Sequence, residues 1–296
     1  SLEGFWLGQS IANWTGLVTE MDKIGIPTKE GMGEGFYTRD DWGKSDQPNI
    51  WGEFKGGKNQ LIDFKVAEKD SIWGSDDDTD IEYMYQELLG NIPYVYFTPN
   101  QIVNGWKKHI YVEEENYLWV SNQKAFDLMN EGVLPPETSD PLLNPFYEMI
   151  DAQLTTEIFG LFAPTNPKVA LDLAYLPIRT TAGGNAVDIA EFYVIMHSLA
   201  SNPTKNLTIK DRLQLNAKEA RDHLPDNKYP AKMFDFVYKE YKKGTPWETT
   251  RDLLHEKYQI KQEDGYIWPS KDEDCSGCFA AGINFGASII LSLIHI

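Results

Sequence analysis

Residues 71 to 85 read SIWGSDDDTDIEYMY, and this stretch limits the architecture more than any other in the chain. Asp76, Asp77, Asp78 and Thr79 follow a Gly-Ser pair and precede Ile81, Met84, Tyr85, Leu88 and Leu89, an apolar series at helical spacing. The acids therefore fall in the first turn of a predicted helix over residues 79 to 89. A helix N-terminus stabilises a favourably placed anion by roughly 0.3–1 kcal/mol, too little to offset the mutual repulsion of three adjacent carboxylates. A divalent cation would offset it. Clustered hard oxygens select Mg²⁺, Mn²⁺ or Ca²⁺, and Thr79 adds a neutral oxygen. The competing reading makes Ser75 an N-cap, with the acids suiting the helix dipole and water absorbing their repulsion. Spacing alone leaves both readings open.

Residues 4 to 20 carry Gly4, Leu7, Gly8, Ile11, Ala12 and Gly16 at a spacing that predicts one closely packing face of a buried helix ending near Gly16. Glu20 then lies past the C-terminal end, where the dipole disfavours a carboxylate, so it is a candidate for function as well as for an ordinary solvated side chain. Residues 24 to 70 read as a long irregular excursion rich in Gly, Asp, Lys and aromatics, of the kind that shapes a cleft. Its Trp42 and Trp51, with Trp73, could stack on a sugar or base, although Trp73 also suits a core. Asp40 and Asp41 sit beside Arg39 and Lys44 and suit surface ion pairs.

Beyond the acidic turn, helices are predicted over 100–109, 116–131, from 149 onward, 167–176, 185–201, 209–223, 231–242, 247–258 and 280–293, with a proline-rich connector at 132–147. Strand signals are weak throughout, so the expected class is all-α. Asp151, Gln153 and Thr155 are polar residues embedded in the apolar helix that starts at Met149, and buried polar groups require partners. Those partners are a ligand or a hydrogen-bonded core network. His197, on a helix with Phe192, Ile195, Met196 and Leu199, reads as a core histidine.

The net charge of −18 and the lack of any basic cluster larger than Lys242-Lys243 argue against a nucleic-acid partner. No apolar run reaches the roughly 18 residues that span a bilayer, and no signal peptide is recognisable, so a soluble chain without a membrane is expected. The chain opens Ser-Leu-Glu, which leaves a cytoplasmic protein and an exported one lacking its signal segment equally open. Cys275 and Cys278 form a single C-x-x-C, too few ligands for structural zinc, and read as a loop or a redox pair. Dinucleotide-binding, P-loop, zincin and serine-hydrolase signatures do not occur, which leaves carboxylate chemistry, with or without metal.

The two N-terminal motifs resemble the ADP-ribosylglycohydrolase family. Its opening helix has the form G-x-L-L-G-x-x-x-G-D-x-x-G-x-x-x-E, and Gly4, Leu7, Gly8, Asn13, Gly16 and Glu20 fall in register with it. Its first metal motif, T-D-D-T at the start of a helix, is similar to the run from Asp76 to Thr79. A later segment, N-G-x-x-M-R-x-x-P-L-G followed by P-x-x-A-x-x-x-A, resembles Asp151 to Ala174, where Phe159-Gly160-Leu161 and Asn166 to Ala170 keep the frame. The resemblance implies one orthogonal helical bundle with long irregular loops over 1–296, with two Mg²⁺ or Mn²⁺ ions in the complete family site. It implies Asp76, Asp77 and Asp78 as metal ligands, Glu20 as catalytic or gating residue, and Asn13, Asp151 and Gln153 as substrate-binding residues. A small-molecule or glycan substrate would then be cleaved at an N- or O-glycosidic bond.

Two departures qualify these implications. The Asn-Gly and Met-Arg elements are replaced by residues 150 to 157, which suits a plain sugar glycoside as well as ADP-ribose. The family's later D-x-D-T/N motif is expected some way after the last helix, so a chain missing its C-terminal metal segment is the expectation. The implied mechanism is metal-assisted hydrolysis through an oxocarbenium-like transition state, which an acidic pocket favours. The alternatives are a non-catalytic helical protein that binds sugar or nucleotide-sugar and keeps a vestigial metal turn, and a structural Ca²⁺ site on an unrelated hydrolase.

Overall fold

The computed structural model describes residues 2–16, 76–92, 96–111, 116–202, 206–269 and 276–294. These residues are mainly helical, and among them no strand forms; an isolated bridge pairs Met149 with Ala280. The chain divides into two compact units, Ser1–Ser75 with Pro269–Cys278, and Asp76–Trp268 with Phe279–Ile296.

In the first unit, helix α1 spans Leu2–Gly16. Its expected burial does not follow. Leu7 is 58% and Ile11 49% exposed, and a side chain added at Gly8 would meet nothing within 4 Å. The periodicity records a capacity to pack, and burial requires a surface that covers the face. Cys278 is disulfide-bonded, and the chain's other cysteine is Cys275, outside the described residues.

The second unit contains α2 (Asp77–Asn91), α3 (Pro99–His109), α4 (Val120–Asn130), α5 (Asp151–Thr155), α6 (Ile158–Phe162), α7 (Pro167–Thr181), α8 (Gly184–Ala200), α9 (Ile209–Arg221), α10 (Tyr229–Lys243), α11 (Trp247–His255) and α12 (Ala281–Ile294). Helix α8 is the hub, packed on α5, α6, α7, α9, α10 and α12. Its sequence explains this position, because Ala186, Ile189, Ala190, Phe192, Val194, Ile195 and Leu199 are apolar on more than one face, and such a helix must be covered all round. Phe192 meets Phe285 edge to face at 5.0 Å and Phe234 at 6.0 Å, joining α8 to α12 and α10.

Two expected boundaries shift for local reasons. The helix predicted to stop before Pro177 continues to Thr181, because Pro177, Ile178, Thr180 and Thr181 are all buried, and that packing outweighs the lost hydrogen bond. The helix predicted from Met149 onward is broken instead into α5 and α6. Thr156 Oγ1 donates to the Ala152 carbonyl at 2.6 Å, a side-chain competitor for the helix ladder, and Thr156 leaves the helix with φ −128° and ψ −5°.

The start of α8 is pinned by Glu148, which is 3% exposed. Its Oε1 accepts from the Asn185 backbone N–H at 2.6 Å and from Asn185 Nδ2 at 2.7 Å, and its Oε2 accepts from the Trp268 indole at 2.6 Å. Gly184, at φ +55°, allows this approach, since a Cβ there would lie 2.3 Å from Oε1. Helix α3 begins with a capping box in which Gln101 N–H donates to Thr98 Oγ1 at 3.3 Å and Thr98 N–H donates to Gln101 Oε1 at 2.8 Å. Thr98→Ala should cost about 1 kcal/mol in urea unfolding. An unchanged midpoint would show that the box carries no net stability.

Candidate functional site

The acidic turn opens α2 as the sequence predicts, although the cap is Asp76 and not Ser75: Asp76 Oδ1 accepts from the Thr79 backbone N–H at 2.9 Å. Side chains from α4 and α5 close on this turn. Ser121 Oγ donates to Asp151 Oδ2 at 2.7 Å, and the Asn122 backbone N–H donates to Asp151 Oδ1 at 3.1 Å. Asn122 Nδ2 donates to Asp77 Oδ2 at 3.2 Å and more distantly to Asp78 Oδ1 at 3.5 Å. Asn122 thus joins carboxylates from two helices. The break after α5 leaves Glu157 within electrostatic range of Asp76 and Asp78. Asp80, on the same first turn, accepts from Asn116 Nδ2 at 2.6 Å.

The electrostatics are unusual for surface acids. Burial raises Asp77 to about 6, with the Asn122 hydrogen bond opposing and the Asp151 and Asp76 charges adding to the rise. Burial also holds Asp78 well above the usual carboxylate range, reinforced by Asp77, Asp151, Asp76 and Glu157. Asp151 is raised by burial against the pull of Ser121 and Asn122. Glu157 is pushed up to about 8, again by burial first, and shares a hydrogen bond with Glu82, which is 0% exposed. Two carboxyl groups can share a hydrogen bond only if one carries a proton. Among the described residues, no lysine, arginine or histidine pairs with Asp77, Asp78, Asp151 or Glu157. The cluster therefore consists of acceptors facing acceptors.

Among the acceptors in this region, Asn122 Oδ1, Gln153 Oε1 and Glu157 Oε2 have no hydrogen-bond partner among the described residues. Val120, just ahead of the two α4 donors, lies at φ +35°, a strained setting for a β-branched residue that costs on the order of 1–3 kcal/mol. The donor chemistry fits a hard divalent cation, since carboxylate and amide oxygens meet here without a neutralising base. Among the described residues, no group of three or more His, Cys, Asp or Glu side chains converges so as to hold a metal by itself.

Of the residues singled out from sequence, Asp76, Asp77, Asp78 and Asp151 come together. Asp151 has found a hydrogen-bonded core network, while Gln153 is buried on α5 with an unmet acceptor. Asn13 lies on α1 in the other unit. Glu20, Asp40, Asp41, Trp42, Trp51 and Trp73 lie outside the described residues. His197 is partly buried, its pKa lowered by desolvation, and its Nδ1 lies 3.0 Å from the Tyr193 carbonyl, which suits a histidine packed at the edge of the core.

Sequence reasoning missed Ser121, Asn122 and Glu157. No start signal marked them: helical spacing is read from residue 116, whereas α4 begins at Val120 behind Trp119, a cap that makes no side-chain hydrogen bond. A separate cleft of about 320 Å³, lined by Tyr96, Phe97, Asp172, Leu173, Tyr175 and Leu176, shares no residue with the cluster. Among the described residues, no helix is long and apolar enough to cross a membrane.

No protein-family model matches the chain, no curated protein is significantly similar to it, and no solved structure is significantly similar to it. Among the described residues, the fold and site on their own define a helical, strand-free architecture with a partly buried, un-neutralised carboxylate cluster.

Proposed function

We propose that the chain is a metal-dependent hydrolase of glycosidic bonds, similar in its N-terminal motifs to the ADP-ribosylglycohydrolases. The observation that carries this reading is the burial of Asp77, Asp78, Asp151 and Glu157 near one another without a basic partner, about the turn whose D-D-D-T run resembles the family's metal motif. Asp76, Asp77 and Asp78 would hold Mg²⁺ or Mn²⁺. A bound cation supplies a Lewis acid that anchors sugar hydroxyls and lowers the pKa of a water.

The chain's own residues perform the remaining tasks. Asn122, itself held through its backbone by Asp151, orients the α2 carboxylates, whose negative field favours the positive charge that develops on a sugar ring as the glycosidic bond breaks. Glu157, protonated near neutrality, holds a proton beside that field. Glu20 gates or assists. The substrate class is a riboside or related sugar glycoside, with ADP-ribose compounds included.

Hydrolysis of ribosides and ADP-ribosyl substrates, assayed with the full chain in Mn²⁺ or Mg²⁺ and again in EDTA, tests the reading. EDTA should abolish turnover, and Asp77→Ala and Glu20→Ala should each reduce it by at least about tenfold. Turnover indifferent to EDTA would overturn the proposal. The lack of a converging three-carboxylate set among the described residues favours one second reading, a sugar-binding protein with a vestigial metal turn, for which sugar binding without turnover is the expected result.

A further inference from the structure

Asn122 is 0% exposed and sits against the two α2 aspartates, donating from Nδ2 to Asp77 Oδ2 at 3.2 Å and at longer range to Asp78 Oδ1 at 3.5 Å. Reversing the amide would set its carbonyl against carboxylates, so the donors fix its orientation. Its Oδ1 is left buried, beside Asp77 and Asp78, with no hydrogen-bond partner among the described residues. A buried amide oxygen without a donor is costly, by roughly 1–3 kcal/mol, and native proteins rarely leave one unmet. Every neighbouring side chain that titrates here is itself an acceptor or a shared acid: Asp76, Asp77, Asp78, Asp151 and Glu157. None of these carboxyl groups is hydrogen-bonded to Oδ1. A cation, or water held by one, satisfies amide and carboxylate oxygens together.

We infer that Asn122 is a neutral ligand and positioning residue for a divalent cation at the α2 turn, its Nδ2 fixing the outward carboxylate oxygens and its Oδ1 facing the ion or the ion's water. This inference rests on the metal reading above. It also accounts for the small number of converging carboxylates, because Mg²⁺ commonly takes one or two carboxylates and keeps several waters. Groups that orient a metal's ligands through hydrogen bonds typically change metal affinity by roughly 10–100-fold, the scale expected here.

Mn²⁺ binding to the full chain, followed by titration calorimetry and by the ion's magnetic resonance signal, provides the test without reference to turnover. Asn122→Leu keeps the volume and removes both polar atoms, and should weaken Mn²⁺ by about tenfold or more. Asn122→Asp keeps an acceptor and should hold affinity within about threefold of the parent chain, even though the metal-free variant gains a charge. Should the leucine variant not fold, the aspartate variant alone decides: retained affinity supports the inference, and lost affinity in a folded chain overturns it. Parent-like affinity in the leucine variant overturns the role of Asn122 and leaves the metal reading intact. A parent chain that binds no Mn²⁺ overturns both, and leaves an ordered water as the occupant.

Discussion

Raising the pH from about 5 to about 8 should destabilise the metal-free chain by several kcal/mol, the reverse of ordinary acid denaturation. Asp77, raised from 3.8 to about 6, and Glu157, raised from 4.5 to about 8, bind protons in the folded state that the unfolded chain releases. Stability from such groups is fully present below their unfolded pKa values and is lost as pH rises through the folded ones. Each pKa unit corresponds to about 1.4 kcal/mol, so Asp77 contributes up to about 3 kcal/mol and Glu157 up to about 5 kcal/mol. The two titrate in one field and their contributions do not simply add. Asp78 and Asp151, also raised, act with the same sign.

Other groups do not reverse this trend. Glu191 and Asp264 are lowered within hydrogen-bonded pairs with His223 and Lys257, and their contribution is already complete above their unfolded values. His223, raised by its hydrogen bond to Glu191, loses stability with rising pH and so adds to the fall. His197 and His255, lowered by burial, oppose it below the ordinary histidine pKa. Urea unfolding in EDTA should show the decline, and saturating Mn²⁺ should flatten or invert it by favouring the charged carboxylates. A metal-free profile that is flat or rises over this range would remove the basis for a buried, un-neutralised cluster.

Gly160→Ala should destabilise the chain by about 2–4 kcal/mol, enough to lower the melting temperature by several degrees. A Cβ at Gly160 would lie 2.3 Å from the Val194 carbonyl oxygen, 2.6 Å from the Ser198 nitrogen and 2.7 Å from His197 Cβ. The first two are backbone atoms of α8, the most heavily packed helix, so no rotamer change relieves the clash. The gain of up to about 1 kcal/mol that alanine brings to a helix is smaller than the cost of pushing α6 off α8. Differential scanning calorimetry of the purified variant reads the effect directly. An unaltered transition would show that α6 can shift at little cost.

Much of the helical order could be read before any coordinates. The helices predicted over 100–109, 167–176, 231–242 and 247–258 all form, the first two opening at Pro99 and Pro167. The acidic turn was legible because adjacent like charges at a helix start form a local pattern, visible in four consecutive letters. The partners of that turn were not legible. Ser121 and Asn122 lie 45 residues or so along the chain from Asp77, and no local rule pairs them with Asp151. The split between α5 and α6 depends on one rotamer, the Thr156 hydroxyl turned back onto Ala152, where the same letters also suit a continuous helix. Asp76 displaced Ser75 as the cap because both residue types suit the role and the path of the chain selects one.

The amino-acid sequence by itself determined the helical class, most helix boundaries and the placing of three aspartates on one turn, all of which follow from interactions within a few residues. Only the tertiary structure decided that α1 keeps much of its apolar face in solvent, that α8 becomes the hub, and that Asn122 stands between Asp77 and Asp151. The physical reason is range: capping, periodicity and charge repulsion act along neighbouring residues, whereas burial and desolvation depend on which distant surface arrives to exclude water.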